Sequence, residues 1–359
     1  MMLPNDLLLN FASKKDAPPA NTTWPITTFS LSRNLSIAKF PSCLSKEKKQ
    51  EILEVIASHF NHIEGFDEFL VLPLKDAPSW QKEFIIEHFL FPYDLTGNPE
   101  GEALIVNRSG NILATINFRD HLILHAIDFV SEPEKALDQL VRLDSYLNEK
   151  LEFAFSSDFG FLTTNPQECG TGLKSQCFLH TPALIYSQEL QEIIDDDTEV
   201  SYAGMLPATP GEYIGNIVVL SNRCSLGLTE EQILSSLRIW SSKISMAEAS
   251  AKKKHTEQNP GELKNHILRA LGLLTHSYHL DLQETLDALS WIQLGISLGW
   301  IQGADNSSIW HPVFWQARRG HLALTKQPDD NKNLQKEVIT QLRADVLKKL
   351  AESLSPTGF

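Results

Sequence analysis

Residues 159–184, FGFLTTNPQECGTGLKSQCFLHTPAL, bring the residue types that do chemistry together at short spacing. Gly170 and Gly172 flank Thr171, so the backbone there can bend tightly and come close to a ligand. Glu168 and Cys169 stand just before the turn and Lys174 just after it. A carboxylate beside an ammonium group suits acid–base work or the holding of an anion. Cys169 reads as a small packing residue rather than a reactive thiol. By itself a Gly-x-Gly turn most often just joins the strands of a hairpin. Arg119 is a second candidate: with Lys174 it could attract an anion, or both could be solvated surface charge.

Other residues carry less. His59 and His62 stand three apart at a helix end, without the acidic or cysteine companions of a metal site, and read as a solvated face. His121 and His125 are four apart, but LILHAI between and around them is strand-like. Asp195, Asp196 and Asp197 read as an acidic turn. Trp291, Leu294 and Leu298 read as helical core rather than a cofactor box.

The elements around these residues follow from local rules. Residues 25–41 read as a strand and an extended segment, 68–73 as a strand, and 101–118 as a hairpin turning at Ser109-Gly110. Ser45 caps a helix whose apolar face is Ile52, Leu53, Ile56 and Phe60. Residues 79–90 form a helix stopped at Phe91-Pro92. Residues 133–151 form another, striped by Leu137, Leu140, Leu143 and Leu147. Phe159, Phe161 and Leu162 lead into the glycine turn as strand, and Cys177, Phe178 and Leu179 leave it as strand. After a strand within 211–228, Thr229 opens a long helix, with Gln232 completing a capping box. Gln258-Asn259-Pro260-Gly261 then marks a boundary, followed by helices to the end. Pro18, Pro19 and Asn21 make a loop of the N-terminal stretch. The expected organisation is an extension over 1–24, a first domain over 25–258 and a helical domain over 262–359.

The chain of 359 residues is 42% hydrophobic and 21% charged, an ordinary globular composition that allows two domains. A net charge of −14 argues against a nucleic-acid backbone or an anionic membrane as partner. Four cysteines without a CxxC pair, no cationic n-region before a long apolar run, and no apolar stretch of spanning length lead to the expectation of a cytoplasmic protein.

The string around Gly170-Thr171-Gly172 resembles the L-T-x-C-P-x-N-x-G-T-G-L-R turn of the ATP:guanidino phosphotransferases, which include creatine, arginine and bacterial protein-arginine kinases. The resemblance covers roughly residues 25–325, through SRNLSIAKFP, VLPLKDAPSWQKEFIIEHFLFP, INFRDHLIL and GNIVVLSNRCSLGLTEEQI. It is closest to the bacterial protein-arginine kinases, which LRALGLL and LGISLGW also resemble. It implies an α+β fold, an antiparallel sheet flanked by helices and followed by a C-terminal helical domain. It implies ATP and magnesium as cofactors, a homodimer, and as partners a zinc-binding activator protein and a Clp-type ATPase.

Phosphoryl transfer to a guanidinium needs phosphate charge neutralised, a carboxylate to orient the acceptor and take its proton, and in-line positioning. The family supplies a ring of arginines, an N-E-E-D-H motif and a turn cysteine. Here the arginine positions fall on Thr28, Ser30, Ile123, Lys174 and Ala203, of which only Lys174 is cationic. The acidic motif reads Asn117-Phe118-Arg119-Asp120-His121, so Arg119 reverses the charge at the base position. The turn cysteine falls on Asn165 and the motif's asparagine on Glu168. Loss of one arginine finger costs about 10³–10⁵ in rate, and here several are replaced together. The C-terminal R-D-x-x-R-A motif, which reads phosphoarginine in the family, falls on Trp315, Gln316 and Arg319. The bland reading there is a surface pair, Arg318 and Arg319, beside a core Trp315.

Three functions follow from the resemblance. The first is a non-catalytic regulatory or scaffolding relative in protein quality control. The second is an active kinase with recruited residues, Glu168 as base and Lys174 as phosphate cation. The third is a module binding another anion in the former ATP cleft through Arg119 and Lys174.

Overall fold

A computed structural model describes residues 3–12, 23, 25–92, 100–194, 199–206, 211–303, 310–326 and 335–357. The acidic run Asp195–Asp197 and the loop at Pro18, Pro19 and Asn21 lie outside the described residues.

One eight-stranded sheet organises the chain. Its strands are β1 (Ile26–Arg33), β2 (Phe69–Pro73), β3 (Ala103–Asn107), β4 (Ile112–Ile116) and β5 (Leu122–Asp128), then β8 (Leu173–His180), β9 (Val200–Gly204) and β10 (Ile217–Asn222). A separate small hairpin joins β6 (Phe155–Ser156) to β7 (Gly160–Phe161). The sheet order is β2-β3-β4-β5-β1-β8-β10-β9, and every pairing is antiparallel. The fold is therefore an antiparallel sheet flanked by helices, as the α+β reading expects. The segment before the glycine turn differs from expectation. Only Gly160–Phe161 is strand there, and it pairs with β6 rather than with β8 across the turn. A 3-10 turn at Pro166–Glu168 intervenes, because Pro166 fixes φ and withholds an N–H from any ladder.

The helices are α1 (Asn5–Ala12), α2 (Lys46–Ser58), α3 (Ser79–His88), α4 (Pro133–Asn148), α5 (Pro182–Tyr186), α6 (Leu190–Ile193) and α7 (Glu230–Gln258). Five more follow: α8 (Pro260–His276), α9 (Leu282–Ser297), α10 (Trp310–Gln316), α11 (Arg319–Lys326) and α12 (Lys336–Glu352). The Ser45 hydroxyl accepts the Lys48 N–H at the start of α2. The capping box of Thr229 and Gln232 opens α7. Asn259 separates α7 from α8, and Pro260 sits in the first turn of α8, where its missing N–H costs no helical bond.

Strand alternation divides the core. Phe29, Leu31, Leu124, Cys177 and Leu220 point to one face and pack under α2, α4 and α7. Ile123, Ile127, Phe178 and Val219 point to the other. That second face is covered by α1 and α3, together with Leu286 of α9, Phe314 and Trp315 of α10, and Leu324 of α11. A third cluster joins α8, α9 and α12. Burying each large apolar side chain contributes roughly 1.5–3 kcal/mol. The N-terminal stretch is therefore more than a loop. Leu7, Leu8 and Phe11 of α1 bury into the second face, and Phe11 fills the space left by Gly110 in the β3–β4 turn.

Candidate functional site

The glycine turn is held from inside the protein. Arg33, the last residue of β1, is almost wholly buried. Its Nη2 donates to Asp144 Oδ2 of α4 at 2.7 Å, and its Nη1 donates to the carbonyls of Ser32 and Thr171 at 2.9 Å each. The guanidinium carbon lies 3.8 Å from the centroid of the Phe161 ring. Gly172 has φ +70°, and a Cβ there would stand 2.6 Å from Arg33 Nη1 and 2.7 Å from the Ser32 carbonyl oxygen. A Cβ at Gly170 would stand 2.6 Å from the Ser225 carbonyl oxygen. The close approach that these glycines permit is thus to Arg33 and to the 225–226 loop. The Thr171 hydroxyl accepts the Leu173 N–H at 3.2 Å.

Next to the turn, the β4–β5 connection presents residues 117–121. Asn117 takes φ +58°, and its amide donates to the carbonyls of Lys49 and Gly101. Asp120 is fully buried; its Oδ1 accepts from Asn34 Nδ2 and from the Thr164 N–H, both at 2.7 Å. His121 Nδ1 accepts the Leu35 N–H, and burial pushes this imidazole below its usual pKa. These bonds tie the end of β1, the β4–β5 turn and the 163–169 loop into one unit. Arg119 projects from it. Its Nη1 donates to Glu168 Oε1 at 3.2 Å, and its Nη2 meets Glu168 Oε2 in a second, shorter contact. Arg119 Nε lies 3.3 Å from Asp120 Oδ2. Asn165 Nδ2 donates to Glu168 Oε1 at 3.1 Å, while its Oδ1 caps the 3-10 turn at the Gln167 N–H. Cys169 packs its Sγ against Thr163. Arg119 is therefore engaged by Glu168 and Asp120, which corrects its reading as a cation waiting for an anion.

Cross-strand register puts the five expected phosphate positions on one face of the sheet. Ser30 is opposite both Lys174 and His125, Ser32 is opposite Ile123, Thr28 is opposite Gln176, and Ala203 is opposite Val219. The Ser30 hydroxyl donates to His125 Nδ1 at 2.7 Å, since Nε2 must carry the proton it gives to the Phe89 carbonyl at 2.8 Å. Burial lowers His125 to about 4, so the ring stays neutral. Among the described residues Thr28 Oγ1 is buried without a partner, and Ile123 belongs to the core. Lys174 Nζ donates to the Asn222 carbonyl at 2.6 Å. Burial pushes Lys174 below the usual lysine range, with Glu168 raising it and Arg119 lowering it. Four neutral side chains and one desolvated ammonium already bonded to a carbonyl do not fit a magnesium–triphosphate, whose charge needs several cations.

On the same face a cleft of about 1090 Å³ opens beside Ala203, with Gln176, Phe178, Ser221 and Tyr213 among its walls. Arg318, between α10 and α11, also lines it and is buried, which corrects its reading as a surface residue. Trp315 is core, as expected: its Nε1 donates to the His88 carbonyl at 3.0 Å. Gln316 is exposed, and Arg319 Nη1 pairs with Glu83 Oε1 at 3.1 Å. Trp315, Gln316 and Arg319 thus face the core, the surface and α3, and do not converge on one pocket. Arg318 reads as a surface residue in the sequence because its burial arises only when α11 docks on α3. Glu87 of α3, which accepts the Gly320 N–H at 2.8 Å, marks that docking.

Residues 51–251 match the family model described as ATP:guanido phosphotransferase, C-terminal catalytic domain. This chain belongs to the ATP:guanido phosphotransferase family. Residues 260–358 match the model of the protein-arginine kinase McsB C-terminal domain. The chain is similar to proteins named protein-arginine kinase: one from Chlamydia pneumoniae, 66% identical over the full length of both chains, and one from Chlamydia muridarum, 54% identical over 98% of this chain and 99% of the relative. A Bacillus subtilis protein of the same name is 27% identical over 77% of each chain. Among solved structures, lombricine kinase superposes with a TM-score of 0.58 at 17% identity, over 64% of this chain and 67% of the other. The duplicated taurocyamine kinase of Schistosoma mansoni superposes with a TM-score of 0.57 at 22% identity, over 71% of this chain and 38% of the other. These superpositions speak for the fold. The family that the ATP:guanido phosphotransferase model describes is one of ATP-using phosphotransferases.

Proposed function

We propose that this protein is a non-catalytic member of the family, keeping the protein-arginine kinase frame as a regulatory or scaffolding component of protein quality control. One observation carries the reading: Arg119, which the resemblance sets at a carboxylate position of the family motif, is paired with Glu168 just before the glycine turn. A catalytic base there would have to accept a proton from an acceptor guanidinium. Instead the position carries a guanidinium of its own, and the neighbouring carboxylate is engaged by it and by Asn165. An incoming guanidinium would meet a like charge and an occupied partner. Replacement of the phosphate cations acts in the same direction, and such losses combine non-additively.

The relatives' names favour a second reading, an active protein-arginine kinase with Glu168 as base and Lys174 as phosphate cation. That reading requires Arg119 to release Glu168 and Lys174 to leave the Asn222 carbonyl. In the non-catalytic reading the protein works in the cytoplasm through partners of the kind its family resemblance suggests, a zinc-binding activator protein and a Clp-type ATPase. Among the described residues no helix is long and apolar enough to cross a membrane.

Calorimetry with MgATP, on wild type and Lys174→Ala, tests the phosphate site. The non-catalytic reading expects no saturable heat at millimolar nucleotide from either protein. Binding by wild type that is lost in Lys174→Ala would favour the active-kinase reading.

A further inference from the structure

The cleft beside Ala203 holds a buried cation that the arrangement of the family site does not use. Arg318 is 5% exposed, lines the cleft and has no carboxylate within ion-pair distance among the described residues. Among the described residues its Nε has no hydrogen-bond partner, its Nη2 reaches only the Met205 thioether at 3.5 Å, and its guanidinium carbon lies 4.6 Å from the centroid of the Phe314 ring. A buried guanidinium with one weak sulfur partner has unmet donors, and such donors are costly unless a ligand or water completes them. Two further polar groups line the same cleft. The Gln176 amide and the Tyr213 hydroxyl make no hydrogen bond among the described residues. Leu90, Phe178, Leu206 and Val219 supply apolar wall. An apolar cleft with a few unpaired polar groups is the usual form of a small-molecule site.

The charge balance narrows the ligand. Arg318 is the one cation in the lining among the described residues, and its planar fork suits a single acid group bound through two parallel bonds. Glu87, which interacts electrostatically with Arg318, and the exposed Glu212 both line the cleft and would repel a second negative charge. A triphosphate would therefore bind poorly, whereas a monoanion with an apolar body would satisfy the fork and cover the wall.

We propose that this cleft binds a small organic acid, a single carboxylate on an aromatic or branched aliphatic body, with Arg318 receiving the carboxylate and Gln176 and Tyr213 bonding a polar group on the body. Arg318 comes from the C-terminal helices, and Gln176 and Tyr213 from the sheet and its loops. The ligand would bridge the two parts of the molecule and stabilise their docking. The proposal rests on the non-catalytic reading only in requiring a cleft free of nucleotide. Phosphoarginine formation would refute that reading, whereas acid binding is read separately.

The test is thermal shift followed by calorimetry on the full chain. The probes are indole-3-acetate, phenylacetate, 4-hydroxyphenylacetate and 4-methylpentanoate, each beside its neutral amide, with AMP and MgATP as polyanions. At least one acid should raise the melting temperature and bind at least tenfold more tightly than its amide. Arg318→Met should abolish the difference, and Glu87→Gln should tighten acid binding. Because Arg318→Met could disturb folding, Ala203→Trp is the second variant: it adds bulk at an exposed position of β9 and should block acid binding in a folded protein. The proposal is overturned if no acid in the panel binds, if amides bind as well as acids, if AMP or MgATP binds ahead of every acid, or if folded Ala203→Trp binds unchanged.

Discussion

The Arg119 guanidinium lies against the Glu168 carboxylate through two N–H···O contacts that join the β4–β5 turn to the 3-10 turn before Gly170. The residues are 49 apart in sequence. Arg119 thus sits between two carboxylates, Glu168 across the contact and the buried Asp120 beside it in the chain.

Arg119→Ala should destabilise the fold by only about 1 kcal/mol, because the arginine is partly exposed and water screens the pair. Arg119→Glu should cost more, about 2 kcal/mol or above, by setting three carboxylates together where two are buried. Urea unfolding of the two variants checks the order; an Arg119→Glu protein as stable as Arg119→Ala would contradict the geometry.

Arg33 acts as a structural pin, and its loss should be far more damaging. Arg33→Met leaves Asp144 and the Thr171 carbonyl without their partner, and breaking such a buried pair costs roughly 3–5 kcal/mol. Limited proteolysis should then cut within 157–172 at protease concentrations that leave wild type intact.

Gly172→Ala tests the same contact from the other side. The residue sits at φ +70°, and the new Cβ would stand 2.6 Å from Arg33 Nη1 and 2.7 Å from a backbone oxygen. Strain of this kind costs of order 1–3 kcal/mol, visible as a lower urea midpoint. Gly227→Ala serves as a control: its φ is +78° and a Cβ there meets nothing within 4 Å, so it should cost less.

The neutral His125 makes a prediction about acid. Its folded pKa is about 4, below the ordinary value of 6.5, so between these values the unfolded chain binds the extra proton. Its contribution to stability is therefore intact above about 6.5 and is lost as pH falls toward 4. His180 and His321, also lowered by burial, act in the same direction. Glu87 and Glu248, each raised to about 7, act oppositely. Comparing wild type with His125→Asn cancels the shared terms. The difference in unfolding free energy should move by about 3 kcal/mol across that window, in favour of the variant as pH falls. A parallel pair of stability curves would contradict the lowered value and show that His125 binds its proton equally in the folded and unfolded chains.

Much of the fold is legible in the amino-acid sequence through local rules. The Ser45 cap, the Thr229–Gln232 box, the leucine stripe of α4 and the turn at Gly110 each depend on residues within a few positions of one another. The family motif located the glycine turn and the register-matched positions Thr28, Ser30, Lys174 and Ala203 on one sheet face. What escaped depends on distant packing. The eight residues of α1 are too few to be helical by propensity alone and are ordered by burying Leu7, Leu8 and Phe11. Arg318 reads as a surface cation until α11 docks on α3. The Arg119–Glu168 pair could have been suspected from two opposite charge changes in one site, but its contact required the folded loops.

Phosphoryl transfer is the most direct test of the central claim. The full chain is incubated with MgATP and an arginine-rich acceptor protein, and phosphoarginine is read by mass spectrometry under neutral conditions, alongside an active protein-arginine kinase. The non-catalytic account predicts no phosphoarginine above the enzyme-free control. Phosphoarginine that forms with wild type and disappears with Glu168→Gln would contradict it and assign Glu168 the role of base.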